Sequence, residues 1–195
     1  MRKIFLDLGT HHGQGINEIV RLRGIDNTWK IFSFEANPIT FNSFDRKNFR
    51  PDLNIKFFNK AVGIDNKQIL LNIETTDEGD IGQGSSIIEM DKWNSPLHYG
   101  KFIRQVTVSS FDLSSFILKN FTDSDLIIIK MDIEGSEYDV LEKMIADSSI
   151  NLVSEIYLEF HGMFFSNKEE IQYREQKILD ELKSKNIIIH GPLDI

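Results

Sequence analysis

At 195 residues, the chain is long enough for one α/β domain with a sizeable core and short for two. Hydrophobic residues make up 41%, as in ordinary globular chains, and cysteine is absent, which excludes disulfides, zinc–thiolate sites and thiol nucleophiles. The net charge of −8 disfavours a broad phosphate-binding surface, because affinity for nucleic acid leans on lysine and arginine.

Met1-Arg2-Lys3 runs directly into Ile4-Phe5-Leu6, without the long apolar stretch of a signal peptide. No apolar run approaches the ~18 residues of a membrane span, so a cytoplasmic protein is expected. Lys3–Leu8 reads as a buried strand. Gly15–Leu22 places Ile16, Ile19 and Val20 at helical spacing. Ile31–Phe34 is a second strand, Asn37-Pro38 an N-cap followed by a first-turn proline, and Ile55–Phe58 a third strand. Gln68–Ile73 reads as a strand, and residues 74–104 as an aromatic-bearing excursion from the sheet. Val106–Val108 is a short strand and Phe111–Leu118 a short helix. Leu126–Met131 is apolar on both faces, as at the centre of a parallel sheet. Ser136–Ala146 reads as a helix with Ser136 and Asp139 in capping-box spacing, Val153–Phe160 as a strand, Lys168–Lys185 as an amphipathic helix, and Ile187–Ile189 as a last strand.

This alternation predicts a mostly parallel sheet covered on both faces. Ligands in such sheets bind beyond the carboxyl ends of the strands. Gly9, Gly13 and Gly15 fall at the first such end, where glycine lets backbone approach a ligand closely. Their spacing, G-x-x-x-G-x-G, differs from the G-x-G-x-x-G of dinucleotide sites. Asp7 sharpens the contrast. A carboxylate there repels a pyrophosphate but attracts the ammonium and sulfonium of S-adenosylmethionine (SAM). Glu35, after the second strand, is placed to accept hydrogen bonds from ribose hydroxyls, a role common to NAD and SAM sites.

Lys130-Met131-Asp132-Ile133-Glu134-Gly135-Ser136-Glu137, continued by Tyr138-Asp139-Val140-Leu141, resembles the signature of the FkbM-type methyltransferases. Phe5-Leu6-Asp7-Leu8-Gly9, Phe34-Glu35-Ala36-Asn37-Pro38, Asn59-Lys60-Ala61-Val62-Gly63, Ser85-Ser86 and Glu159-Phe160-His161 resemble further segments of that family, over about residues 4–161. The resemblance implies a Rossmann-like class I methyltransferase: a three-layer α/β sandwich that methylates a hydroxyl of a sugar, glycan or small natural product with SAM. Asp7, Gly9, Gly13, Glu35 and Asp132 match positions lining the SAM site, and Ala61 and Val62 match positions near the adenine. With the loop residues Thr10, His11 and Gly15 and the neighbouring Ala36, they make up the expected cofactor-binding set. Thr10-His11-His12 departs from the family pattern. No room is found after Ile187–Ile189 for the last antiparallel strand of a class I sheet, so residues 74–104 are the expected replacement lid.

Methyl transfer to an alcohol needs alignment, exclusion of water and removal of a proton. Asp132, Lys130, Glu159 and His161, at the ends of two neighbouring strands, are the expected catalytic residues. Period-two alternation pairs Lys130 with Asp132, and Glu159 with His161, on one face. His161 has the titration range of a base near neutral pH. Asp132, Glu159 and His161 offer oxygen and imidazole ligands for a divalent metal, but no sequence-local spacing supports one, and none is expected. Glu137 and Asp139 read as first-turn acids favoured by the helix dipole. Trp93, His98 and Tyr99 are candidates for stacking on the acceptor. The expected partners are a small-molecule or glycan acceptor, with neither membrane nor nucleic acid; a homodimer is left open. Competing readings are a non-catalytic SAM-binding subunit, a nucleic-acid 2′-O-methyltransferase and an NAD-dependent oxidoreductase.

Overall fold

The computed structural model describes residues 1–43, 45–76, 84–89, 92 and 100–193. Its centre is a six-stranded sheet built from β1 (Lys3–Leu8), β2 (Trp29–Glu35), β3 (Asn54–Asn59), β7 (Leu126–Met131), β8 (Glu155–Leu158) and β9 (Ile188–His190). The strand order is β3-β2-β1-β7-β8-β9, and every pairing is parallel. Chain order therefore reverses between β1 and β7, the switch point at which open α/β sheets bind ligands.

Alternation sorts the side chains into two layers. Ile4, Leu6 and Leu8 of β1 and Ile127, Ile129 and Met131 of β7 join one core with α3 (Leu113–Asn120), α4 (Glu137–Ala146) and α5 (Lys168–Ser184). Phe5 and Ile128 point to the other face and meet Ile16, Ile19 and Val20 of α1 (Gln14–Arg23). Buried apolar side chains pack on both faces, so β1 and β7 are held from either side and their carboxyl ends form a firm base. Among the described residues no helix is long and apolar enough to cross a membrane.

A second sheet, in the order β4-β6-β5, consists of β4 (Ala61–Gly63), β5 (Gln68–Thr76) and β6 (Gly100–Asp112). Here the structure corrects the sequence reading. The short strand at Val106–Val108 is part of a thirteen-residue β6, paired antiparallel with β5 out to Thr76 and Gly100. Both ends of the 74–104 excursion are thus ladder, leaving 77–99 between them. Of that span only 84–89 and 92 are described; Trp93, His98 and Tyr99 lie outside the described residues. Ser86 bridges back to Asn72 of β5.

The helix expected from Phe111 begins at Leu113 instead. Asp112 caps it, its carboxylate accepting from the Ser115 amide at 2.9 Å, and Phe111 stays in the strand, stacked on Phe34 at 4.6 Å. Conversely, Asn37 caps α2 (Pro38–Ser43) as expected, accepting from the Ile39 amide at 3.0 Å. Val153–Phe160 shortens to Glu155–Leu158, because Ser149–Leu152 winds into a 3-10 turn.

Candidate active site

One register row crosses the sheet near its carboxyl edge. Ser33, Asp7, Lys130, Tyr157 and His190 are successive partners on β2, β1, β7, β8 and β9. The row faces α1, and polar groups in a buried layer must find partners there. Thr10 Oγ1 donates to Asp7 Oδ2 at 2.6 Å and lies 2.5 Å from Ser33 Oγ. Lys130 Nζ donates to the Gly9 carbonyl at 2.7 Å and to Asp132 Oδ2 at 2.9 Å. Asp7 Oδ1 is buried without a hydrogen-bond partner. Burial raises the Asp7 pKa, against the pull of Lys130 and Thr10. Burial alone would lower that of Lys130, but Asp132 and Asp7 raise it, so the amine stays charged.

The glycines earn their places by contact. A Cβ on Gly9, at φ +80°, would stand 1.7 Å from the Asp132 carbonyl oxygen. The first loop therefore crosses directly over the end of β7. Gly15 leaves room for the Lys130 stem, 3.1 Å from where its Cβ would be. Gly13, at φ +90°, lies against the Phe49 ring and precedes α1 with no side-chain cap. Asp7 and Gly13 are not on the cleft wall; they support it from behind.

The cleft opens beyond the carboxyl ends of β1, β2, β7 and β8. Its wall includes Gly9, Thr10, His11, Gln14 and Gly15 from the first loop, Glu35, Ala36 and Asn37 after β2, and Ala61 and Val62 of β4. Lys130, Asp132, Glu134 and Glu159 line the far side, Ser85 and Ile87 the roof, and Pro192 and Leu193 one rim. Glu35 accepts from the His11 amide through Oε2 and from the Asn37 amide through Oε1, each at 2.7 Å. Each oxygen keeps a lone pair for a further donor. Burial pushes its pKa up to about 7 despite those two amides. His11, in left-handed backbone at φ 49°, turns toward the cleft; burial and then neighbouring His12 lower its pKa to about 4, keeping it neutral.

The acceptor-side residues converge more tightly than sequence spacing indicates. Asp132 extends the β1–β7 pairing and Glu159 the β7–β8 pairing, their amides bonding to the Leu8 and Met131 carbonyls at 3.1 and 3.0 Å. His161, 4% exposed, stands behind them and off the cleft wall. Its Nε2 lies 3.5 Å from Glu134, 3.7 Å from Asp132 and 3.8 Å from Glu159. Burial would lower its pKa, but Glu137, then Glu134 and Asp132, push it up to about 10. Glu134 is pushed up to about 8 by burial and neighbouring acids, against the pull of His161.

Two members of this cluster do more than the sequence reading assigned them. Glu137 is a first-turn acid of α4 as expected, but not one facing solvent. It is fully buried, and its carboxylate accepts from the Ile133 amide at 2.8 Å, the Gly135 amide at 2.9 Å and His161 Nδ1 at 3.0 Å. The Ser136–Asp139 capping box is not made: Ser136 has no side-chain cap bond. Glu134 sits in left-handed backbone at φ 52° before Gly135 at φ 100°, and Lys130 pairs with Asp132. Glycine after an acid at a strand end was the available clue to such a turn.

A parallel sheet with a glycine loop over its switch point and an acid after β2 defines a Rossmann-like α/β fold. The Methyltransferase FkbM domain family matches residues 7–186; the chain belongs to that family and is a methyltransferase by membership. No curated protein and no solved structure matches it.

Proposed function

We propose that the protein transfers the methyl group of SAM to a hydroxyl oxygen of a sugar, glycan or small natural product. The observation that carries the choice of cofactor is the charge of the cleft wall. It bears Glu35, Asp132, Glu134 and Glu159 against Lys60 and Lys130, with no arginine among the described residues, and Lys130 is already paired with Asp132. A ligand carrying ammonium and sulfonium charges draws the Glu35 and Glu134 carboxyls, raised to about 7 and about 8 in the free protein, into their ionised form, whereas the pyrophosphate of a dinucleotide would be repelled by the ionised acids. The partnerless Asp7 Oδ1 behind the first loop adds to the field.

Glu35 holds the ribose hydroxyls with its two spare lone pairs, and Ala36, Ala61 and Val62 form the apolar seat of the base. Gly9, Thr10, His11 and Gly15 face the methionine end, with Asp7 and Gly13 fixing the loop. When bound, SAM supplies an electrophilic methyl carbon on a good leaving group. Asp132 and Glu159, held by the charged Lys130 and with His161 behind them, position the acceptor oxygen and take up its proton.

Calorimetry with SAM and NAD tests the cofactor: SAM binds and NAD does not. Binding of NAD, or no uptake of SAM at millimolar concentration, overturns the reading. The acceptor class is tested with methyl-labelled SAM and a glycan or cell extract, where label should enter an alkali-stable ether. A pH series tests Glu35. Its carboxyl titrates at about 7 in the free protein, and the ionised form is the better acceptor for ribose hydroxyls. SAM affinity should therefore weaken about tenfold from pH 8 to pH 6, as the ionised fraction falls. Glu35→Gln should bind more weakly at pH 8 and lose most of that slope.

A further inference from the structure

We propose that Asp132, Glu134 and His161 form a divalent-cation site of the magnesium or manganese type on the acceptor side of the cleft. The proposal deepens the methyltransferase reading and depends on it only for what the ion does.

The geometry comes first. One ligand atom from each of the three residues lies within 4.8 Å of the other two. The Nε2–carboxylate separations of 3.5 and 3.7 Å exceed the ~3.2 Å limit of a good N–H···O bond. They fall between the separations of adjacent and opposite ligands ~2.1 Å from an octahedral centre, about 3.0 Å and about 4.2 Å, so small side-chain rotations would seat an ion. Glu159 Oε1, 3.8 Å from the same nitrogen, is within reach as a fourth ligand.

The imidazole supplies the second, independent observation. His161 is almost wholly buried, and its single hydrogen bond runs through Nδ1 to Glu137. Glu137 also accepts two backbone amides, so its carboxylate acts as an acceptor and the Nδ1 proton points to it. Nε2 is left facing the three carboxylates at 3.5–3.8 Å, within ion-pair range but with no hydrogen bond among the described residues. A carboxylate behind the remote nitrogen is the arrangement that fixes the tautomer and aim of a metal-binding histidine.

The carboxylates are aimed as well. Asp132 gives Oδ2 to Lys130 and turns Oδ1 toward His161. The Glu134 side chain makes no hydrogen bond, while its backbone is held left-handed and its carbonyl accepts from Ser86 Oγ at 2.5 Å. Four carboxyl groups (Asp132, Glu134, Glu137 and Glu159) gather round Lys130 and His161, an excess of acids over cations that a divalent ion would offset. Oxygen donors with one imidazole and no thiolate select magnesium or manganese over softer metals. Asp132, Glu134 and Glu159 border the cleft, so an ion among them could take the acceptor hydroxyl as a further ligand.

The test is Mn2+ binding to the full chain after chelator treatment, by calorimetry and pulsed electron paramagnetic resonance, with SAM binding measured in parallel. One Mn2+ per chain is expected, with the nitrogen hyperfine coupling of a bound imidazole. Glu134→Gln should weaken Mn2+ at least tenfold, and His161→Gln, if folded by circular dichroism, should abolish the nitrogen coupling. No binding at millimolar Mn2+, or binding without nitrogen coupling and indifferent to Glu134→Gln, overturns the site. If SAM binds while Mn2+ does not, the ion site alone falls; if SAM fails too, the reading of the cleft falls with it.

Discussion

Gly9→Ala should lose at least about 3 kcal/mol of stability and with it the proposed SAM site. Two costs act together. Alanine at φ +80° is strained by about 1–3 kcal/mol wherever it occurs. Its Cβ must also stand where the Asp132 carbonyl oxygen is, 1.7 Å away. That oxygen belongs to the end of β7 and cannot swing aside like a side chain. Relief requires the loop to lift off the sheet, breaking the Gly9 and Thr10 amide bonds to the Phe34 carbonyl, both 3.0 Å, and the Lys130 bond to the Gly9 carbonyl. At ~2–4 °C per kcal/mol for a domain of this size, the midpoint of thermal unfolding should fall by roughly 6–12 °C. Two other glycines calibrate the result. Gly24→Ala has the positive φ but nothing within 4 Å and should cost about 1 kcal/mol. Gly191→Ala has neither the positive φ nor a neighbour and should melt with the wild type. Equal melting of all three would show that the loop does not cross β7.

The loop was legible in the sequence because glycine spacing at a strand end reports backbone approach. So were the strands of the central sheet: β7 occupies the residues that its two-faced apolar run indicates, and β1 likewise. What the sequence hid was set by partners far along the chain. Phe111 has helical neighbours, yet its ring stacks on Phe34 from β2, and tertiary packing overrode local propensity. The ends of β5 and β6 lie in a polar, glycine-bearing stretch whose ladder exists only because the two strands meet. At the site, Asp7, Glu35, Asp132 and Glu159 could be placed by counting from strand ends. Glu137 could not, because an acid in the first turn of a helix has a sufficient local explanation. Its burial follows from a turn that folds back on it and a histidine twenty-four residues on.

That buried carboxylate carries the second large effect. Glu137→Ala should destabilise the protein by about 3–5 kcal/mol, the usual consequence of removing one member of a buried charged network. Three donors lose their acceptor at once: the Ile133 and Gly135 amides and His161 Nδ1. No solvent reaches Glu137, so each donor bears its desolvation cost unrelieved. Glu137→Gln separates shape from charge. Its carbonyl oxygen can still serve Ile133 and His161, but the amide nitrogen then faces the Gly135 N–H, donor against donor. Roughly half the loss is expected, with urea unfolding midpoints in the order wild type, Glu137→Gln, Glu137→Ala. Amide hydrogen exchange localises the effect: Gly135 should exchange faster in Glu137→Gln, and both Ile133 and Gly135 in Glu137→Ala, while amides in the middle of β1 change only as far as global stability does. The turn they belong to carries Glu134 into the cleft, so its loosening should scatter the acceptor side before the sheet itself gives way. Wild-type exchange at Ile133 and Gly135 in Glu137→Ala would mean that the turn holds without its buried acid, and the acceptor-side geometry would need another support.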